Sequence, residues 1–259
     1  MGQRTGMHTM NLILQMPSTA EIKAVRTAVM LMDAGTAHAV NTTLGCLPEH
    51  AQALREGALP VGSVEFVRSA MALAGIAEPA NLSYPRGCER WLRRALSTQR
   101  AGDVHHRCFI KPVYTKLFNG FVFEPGLHPD SLDEHDREQM EIFLRLPSDT
   151  LVLTSDVITL VSEWRYYVQG GQVIGAARYD PDGSDDAPAP NESELKQCIA
   201  DLAITHPYAL DMGVTADGQT VLIEGNDAWA IGFYRGAMSN VAYLEFLSTR
   251  WATLLASQK

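Results

Sequence analysis

Tyr208-Ala-Leu-Asp-Met-Gly-Val214, the turn Ala216-Asp-Gly218 and Val221-Leu-Ile-Glu-Gly-Asn226 make two apolar runs of strand length around a tight reversal. Such a pair predicts neighbouring antiparallel strands. Side chains two apart on a strand share a face, so Glu224 and Asn226 project together, and Asp211 on the partner strand can meet them. Three hard oxygen donors on one face suit Mg²⁺, which keeps positions for phosphate oxygens and water. The same pattern also suits a turn flanked by ordinary polar residues.

Upstream, Ser162-Glu-Trp-Arg-Tyr-Tyr-Val168 alternates as a strand, which puts Glu163, Arg165 and Tyr167 on one face. Gln169-Gly-Gly-Gln172 is a hairpin turn, and Val173 to Tyr179 is its second arm, carrying Arg178. Two arginines beside a carboxylate either form a structural ion pair or clamp a phosphoryl group. Leu151 to Thr154 reads as a buried strand, and Arg107-Cys-Phe-Ile-Lys-Pro112 as a strand ended by proline. Lys111 at that strand end is costly to bury without an anionic partner. The loop that follows, Val113 to Gly120, holds Lys116 and Gly120, and its backbone amides suit phosphate oxygens. Glu134–Leu144, Glu192–Ala203 and Asn240–Ala256 read as helices, and Glu89–Gln99 as a basic amphipathic helix with Arg90, Arg93 and Arg94. Asp180 to Asn191 is a long loop. Trp229 and Tyr234 either pack in the core or line a pocket near Asn226.

The first part of the chain has a different rhythm. Met10 to Met16 is a short apolar strand closed by Pro17. Ser18 and Glu21 have capping-box spacing, and Ile22, Val25, Val29 and Met32 recur at helical spacing before Gly35. Ala37 to Asn41 is a second strand, Leu44 to Pro60 is irregular, and Ser63 to Ala74 is a helix closed by Gly75. Strand–helix–strand at the front and hairpins at the back predict an α/β opening followed by α+β units. The predicted division is 1–62, 63–153 and 154–259.

Composition narrows the class. The 259 residues are 46% hydrophobic and 20% charged, which is globular and excludes whole-chain disorder or coiled coil. The net charge of −9 argues against a nucleic-acid binder. No apolar run approaches the roughly 20 residues of a membrane span. Cys46, Cys88, Cys108 and Cys198 form no CxxC pair, and with no apolar leader they read as reduced thiols of a cytoplasmic protein. There is no Walker A or GxGxxG sequence.

Taken in order, the strand ending in Lys111-Pro112, the glycine-containing loop, the apolar hinge Ser155-Asp-Val-Ile-Thr159, the Glu163-X-Arg165 strand with its Gly-Gly hairpin, and Asp211…Glu224-X-Asn226 resemble the ATP-grasp superfamily. The resemblance spans residues 63 to 232. It is similar to D-alanine–D-alanine ligase-like members in the Asp211–Glu224 separation, and to the ligases that add glutamate to ribosomal proteins between Glu163 and Arg178. It implies an ATP-grasp fold of two α+β subdomains clasping ATP behind a small N-terminal α/β domain. It also implies ATP contacts from Lys111, Lys116, Gly120, Asp156, Val157, Thr159 and Glu163, and one or two Mg²⁺ (with Mn²⁺ as a substitute) on Asp211, Glu224 and Asn226. Arg165 and Arg178 would stabilise the transferred phosphoryl group and the acyl intermediate. The family's earlier lysine falls near Val64, and Arg68, one turn later on that face, is the candidate substitute.

The activity implied is an ATP-dependent carboxylate–amine (or –thiol) ligase working through an acyl phosphate. An ATP-dependent phosphotransferase and a non-catalytic nucleotide-binding module are the alternatives. The substrates expected are ATP, a carboxylate and an amine from an amino acid, peptide or protein tail. Oligomeric state stays open, a homo-oligomer included.

Overall fold

Strand β1 (Met10–Gln15) buries Leu12, Ile13 and Leu14 on both of its faces, the mark of a central parallel strand. The computed structural model, which describes residues 9–113, 117–180 and 186–257, shows why. Helix α1 (Ala20–Leu31) carries the chain back so that β2 (Ala37–Thr42) pairs with β1 in parallel. A short 3₁₀ turn and α2 (Ala51–Arg55) then lead to β3 (Leu59–Val61), which pairs with the other edge of β1. The segment expected to be irregular thus contains a helix and a strand. The expected capping box is absent: Thr19 is the N-cap of α1 without a side-chain bond, and Glu21 accepts instead from the Phe233 backbone N–H at 3.2 Å. Helix α3 (Val64–Ala74) starts on the Ser63 hydroxyl and stops at Gly75, whose φ of 78° few other residues adopt cheaply. It packs on α2 and β3 and so shares the first apolar cluster.

The basic helix expected over 89–99 is a single turn, α4 (Glu89–Leu92). Arg93 adopts a left-handed conformation that ends it, and the chain extends into β4 (Leu96–Arg100). Then come β5 (Cys108–Pro112), β6 (Phe121–Phe123), helix α5 (Glu134–Leu144) and β7 (Leu151–Ser155). These strands form an antiparallel sheet in the order β4-β7-β5-β6. Phe143 of α5 sets its ring edge-on to Phe118, Phe121 and Phe123, which fixes the helix on one face of the sheet.

The third sheet follows from β8 (Leu160–Gln169) and β9 (Gln172–Arg178), joined by Gly170 and Gly171 with φ of 57° and 73°, the backbone a two-residue hairpin requires. Helix α6 (Glu192–Leu202) precedes β10 (Tyr208–Thr215) and β11 (Thr220–Asp227), and the order is β11-β10-β8-β9, all antiparallel. Leu210, Met212 and Leu222 face α6 in one cluster, whereas Tyr167 and Ala209 on the opposite face belong to the first. Helix α7 (Asn240–Ala256) returns to pack against α1, which joins the last element to the first sheet. Among the described residues no helix is long and apolar enough to cross a membrane.

Candidate active site

A cleft of about 530 Å³ opens between the second and third sheets. Lys111 and Gly120 line it from the second sheet and its loop, and Glu163, Arg165, Glu224 and Asn226 from the third. Four of these residues are brought together by register. Asp211 pairs with Arg165 on one side and with Glu224 on the other, so their side chains form a row across β8, β10 and β11. Arg165 binds Asp211 through both ends of its guanidinium fork, Nε to Oδ1 at 2.7 Å and Nη2 to Oδ2 at 2.6 Å. Asn226 donates its amide to Asp211 at 3.0 Å and to Glu224 at 3.2 Å. From the facing sheet Lys111 Nζ reaches Glu224 Oε2 at 2.5 Å and the Ser83 hydroxyl at 3.2 Å, and it lies 5.0 Å from the centre of the Tyr84 ring.

Charge follows from these contacts. Burial opposes ionisation of Glu224, but the nearby Lys111 outweighs it and holds the carboxyl below its ordinary value. Burial likewise opposes the charge on Arg165, and the hydrogen bonds to Asp211 outweigh it, so Arg165 stays protonated. Glu163 is pushed up, chiefly by burial. Tyr179 is pushed well up by burial and by the charges of Asp211 and Glu163. Its ring stacks on Tyr234 at 5.3 Å and 9°, and the Arg165 guanidinium sits 5.1 Å from the Tyr234 ring centre. Beyond Arg165 lies Gly232. A methyl group there would stand 3.5 Å from Arg165 Nη1 and 3.6 Å from Glu21 Oε1, so the glycine leaves a gap between a cation and a carboxylate. Gly120 is a glycine for a related reason: any side chain on it would run into the Phe109 ring.

Other expected residues stand elsewhere. Arg178 is in register with Trp164, one residue from Arg165, so it leaves the sheet on the opposite face and pairs with Asp180 at 2.7 Å. Asp180 falls to about 2 because Arg178 hydrogen-bonds it. Arg68 is held by both carboxylate oxygens of Glu78, at 2.7 and 2.8 Å, near the cleft rim. Asp156, Val157 and Thr159 form the connection between the second and third sheets and do not line the cleft, and Asp156 accepts from the Ala95 N–H at 3.2 Å. Lys116 lies outside the described residues. Among the described residues no three His, Cys, Asp or Glu side chains converge as a metal cage. Ser83, Tyr84 and Tyr179 were not singled out by sequence, because nothing in their local pattern says that they end beside Lys111 and Arg165.

A lysine from one antiparallel sheet set against a carboxylate and an amide from another, across a cleft between two α+β units, defines the ATP-grasp class. The match to a family model makes this specific: residues 91–245 fit an ATP-grasp domain, family 2 of its clade, and the chain belongs to that family. Among solved structures, D-alanine–D-alanine ligase from Bacillus anthracis complexed with ATP is similar over 97% of this chain and 100% of its own, at 14% identity and a TM-score of 0.58. A RimK domain ATP-grasp protein from Sphaerobacter thermophilus is similar over 92% of this chain and 99% of its own, at 16% identity and a TM-score of 0.53. No curated protein matches.

Proposed function

We propose that this chain is an ATP-dependent ligase that activates a carboxylate as an acyl phosphate and passes the acyl group to an amine. The Lys111–Glu224 contact across the cleft carries the reading. It sets a phosphate-seeking cation against a cation-seeking carboxylate, which is the charge pattern a metal–triphosphate complex replaces. The fold shared with a D-alanine–D-alanine ligase that binds ATP supports it. In the proposed division of the chain, the cleft lies between units 63–153 and 154–259.

Lys111 binds the phosphates, with Ser83 and Tyr84 holding its ammonium in line. Phe109, Phe118 and Ile223 supply apolar walls for adenine, and Glu163 accepts from the ribose hydroxyls. Glu224 and Asn226 face the cleft and suit Mg²⁺, because turning the Asn226 amide would present its oxygen. Asp211 backs them with its charge committed to Arg165. When bound, the ion offsets charge on the phosphates.

A substrate carboxylate oxygen attacks the γ-phosphorus, the bond to the β-phosphate oxygen breaks, and ADP leaves. The amine then adds to the acyl carbon, inorganic phosphate departs and the amine proton passes to solvent. Arg165 Nη1, which faces Gly232 rather than Asp211, is placed to stabilise the negative oxygen that forms there. Calorimetry of ATP binding to the wild type and to Glu224→Gln, with and without Mg²⁺, tests the site. Tight binding that needs Mg²⁺ and weakens in the variant supports it; absence of binding to either protein overturns it. ADP release in a screen of carboxylates with amines then tests the reaction.

A further inference from the structure

β11 is an edge strand, and in a regular strand successive carbonyls point to opposite sides. Here two successive carbonyls point to the same side. Leu222 O accepts from Arg94 Nη1 at 2.9 Å and Ile223 O from Arg94 Nη2 at 3.0 Å. The cause is a bulge. Glu224 pairs with Asp211 and Leu222 with Met212, so Ile223 is an extra residue with no partner on β10. The bulge also decides where Glu224 points. Leu222 and Glu224 are two residues apart and would share a face on a regular strand. Instead Leu222 is buried against α6, whereas Glu224 opens into the cleft.

Arg94 precedes β4 and belongs to the facing unit. Its third acceptor is Leu92 O at 2.9 Å, and among the described residues it forms no ion pair. The same edge of β11 is held beyond Glu224 as well. Gly225 N–H donates to Ser83 O at 2.9 Å, and a side chain at Gly225 would stand 2.7 Å from Leu82 O. Glu224 therefore sits between two straps, and only Arg94 spans the bulge.

We infer that Arg94 is a positioning residue: its guanidinium fork locks the bulge at Ile223 and so aims Glu224 and Asn226 into the cleft. This rests on the reading that those two side chains hold the metal of a metal–ATP complex. A lysine keeps the charge but lacks the planar fork that answers two carbonyls at once.

The test is a Mn²⁺ titration in the presence of ATP, followed by the electron paramagnetic signal of free Mn²⁺, on wild type, Arg94→Ala and Arg94→Lys. Mn²⁺ affinity is expected to fall about 10-fold or more in Arg94→Ala and by less in Arg94→Lys, the range seen when a partner that orients metal ligands is lost. Millimolar methylguanidinium should restore part of it in Arg94→Ala. A merely structural role would lower the melting temperature of the variants and leave Mn²⁺ affinity at the wild-type value, which overturns the inference. If Arg94→Ala does not fold, Arg94→Lys decides on the same criterion. If the wild type binds no Mn²⁺–ATP, the ligase reading fails, and amide exchange over residues 222–227 decides the strap alone. Faster exchange in Arg94→Lys supports it, and unchanged exchange overturns it.

Discussion

Two ion pairs share one cleft and are held in different ways. Arg165 and Asp211 sit on adjacent strands of one sheet, meet through two hydrogen bonds, and their side chains are 11% and 3% exposed. Lys111 and Glu224 come from different sheets, meet through one contact, and Glu224 keeps 28% of its side chain exposed. No rigid movement of one sheet against the other separates the first pair. The second separates whenever the sheets part or another charge enters. The comparison teaches that the first pair gives the site its shape, and the second holds the place of a ligand's own charges.

The sharpest way to break this contrast is Arg165→Met. It leaves Asp211 buried and unpaired and should lower stability in urea unfolding by about 3–5 kcal/mol. A loss under about 1 kcal/mol would mean that the pair is not structural. Glu224→Gln should do the opposite. ADP release should fall about 100-fold, the scale of losing one preorganised electrostatic partner, while the unfolding midpoint stays near that of the wild type. Lys111→Ala refines the second half. With its ammonium gone, Glu224 is free to take a cation, so free Mn²⁺ should bind about tenfold more tightly while ATP binds more weakly. Both affinities moving the same way would show that Lys111 and Glu224 are not exchange partners.

The smallest effect lies outside the cleft, at Arg178 and Asp180. Asp180 is lowered to about 2 by its hydrogen bonds with Arg178, against an unfolded value of about 3.9. A depressed carboxyl stabilises the fold above the unfolded value, and that stability is lost as pH falls from about 4 through about 2. Urea unfolding at pH 5 and pH 2.5 should show a steeper loss in the wild type than in Arg178→Gln. Equal slopes would remove the pair from the account.

Much of this was legible because the relevant signals are local. Gly-Gly marks the β8–β9 turn, Gly75 the end of α3, and the period of Met140 and Phe143 the inward face of α5. Alternation alone gathers Glu163 with Arg165, and Glu224 with Asn226. Features that depend on register across strands were not legible. Val221, Leu222 and Ile223 are all apolar, so nothing in the run reveals which of them is the extra residue of the bulge. Arg178 looked like a partner for Arg165 until the hairpin register put it opposite Trp164. Arg68 had the right face of its helix, but Glu78 stands ten residues later and claims both ends of its guanidinium. Arg90, Arg93 and Arg94 read as one solvated helix because a left-handed residue at Arg93 has no signature in sequence.

The packing of α7 on α1 has a consequence for synthesis on the ribosome. Ile22, Val25 and Ala28 belong to the same apolar cluster as Tyr243, Leu244, Phe246, Leu247, Trp251 and Leu254. The first sheet is therefore made early and completed late, after more than two hundred further residues have been translated. During that interval its apolar helix face stays open, so a nascent chain stalled before Asn240 is the form of this protein that a chaperone or a protease would recognise.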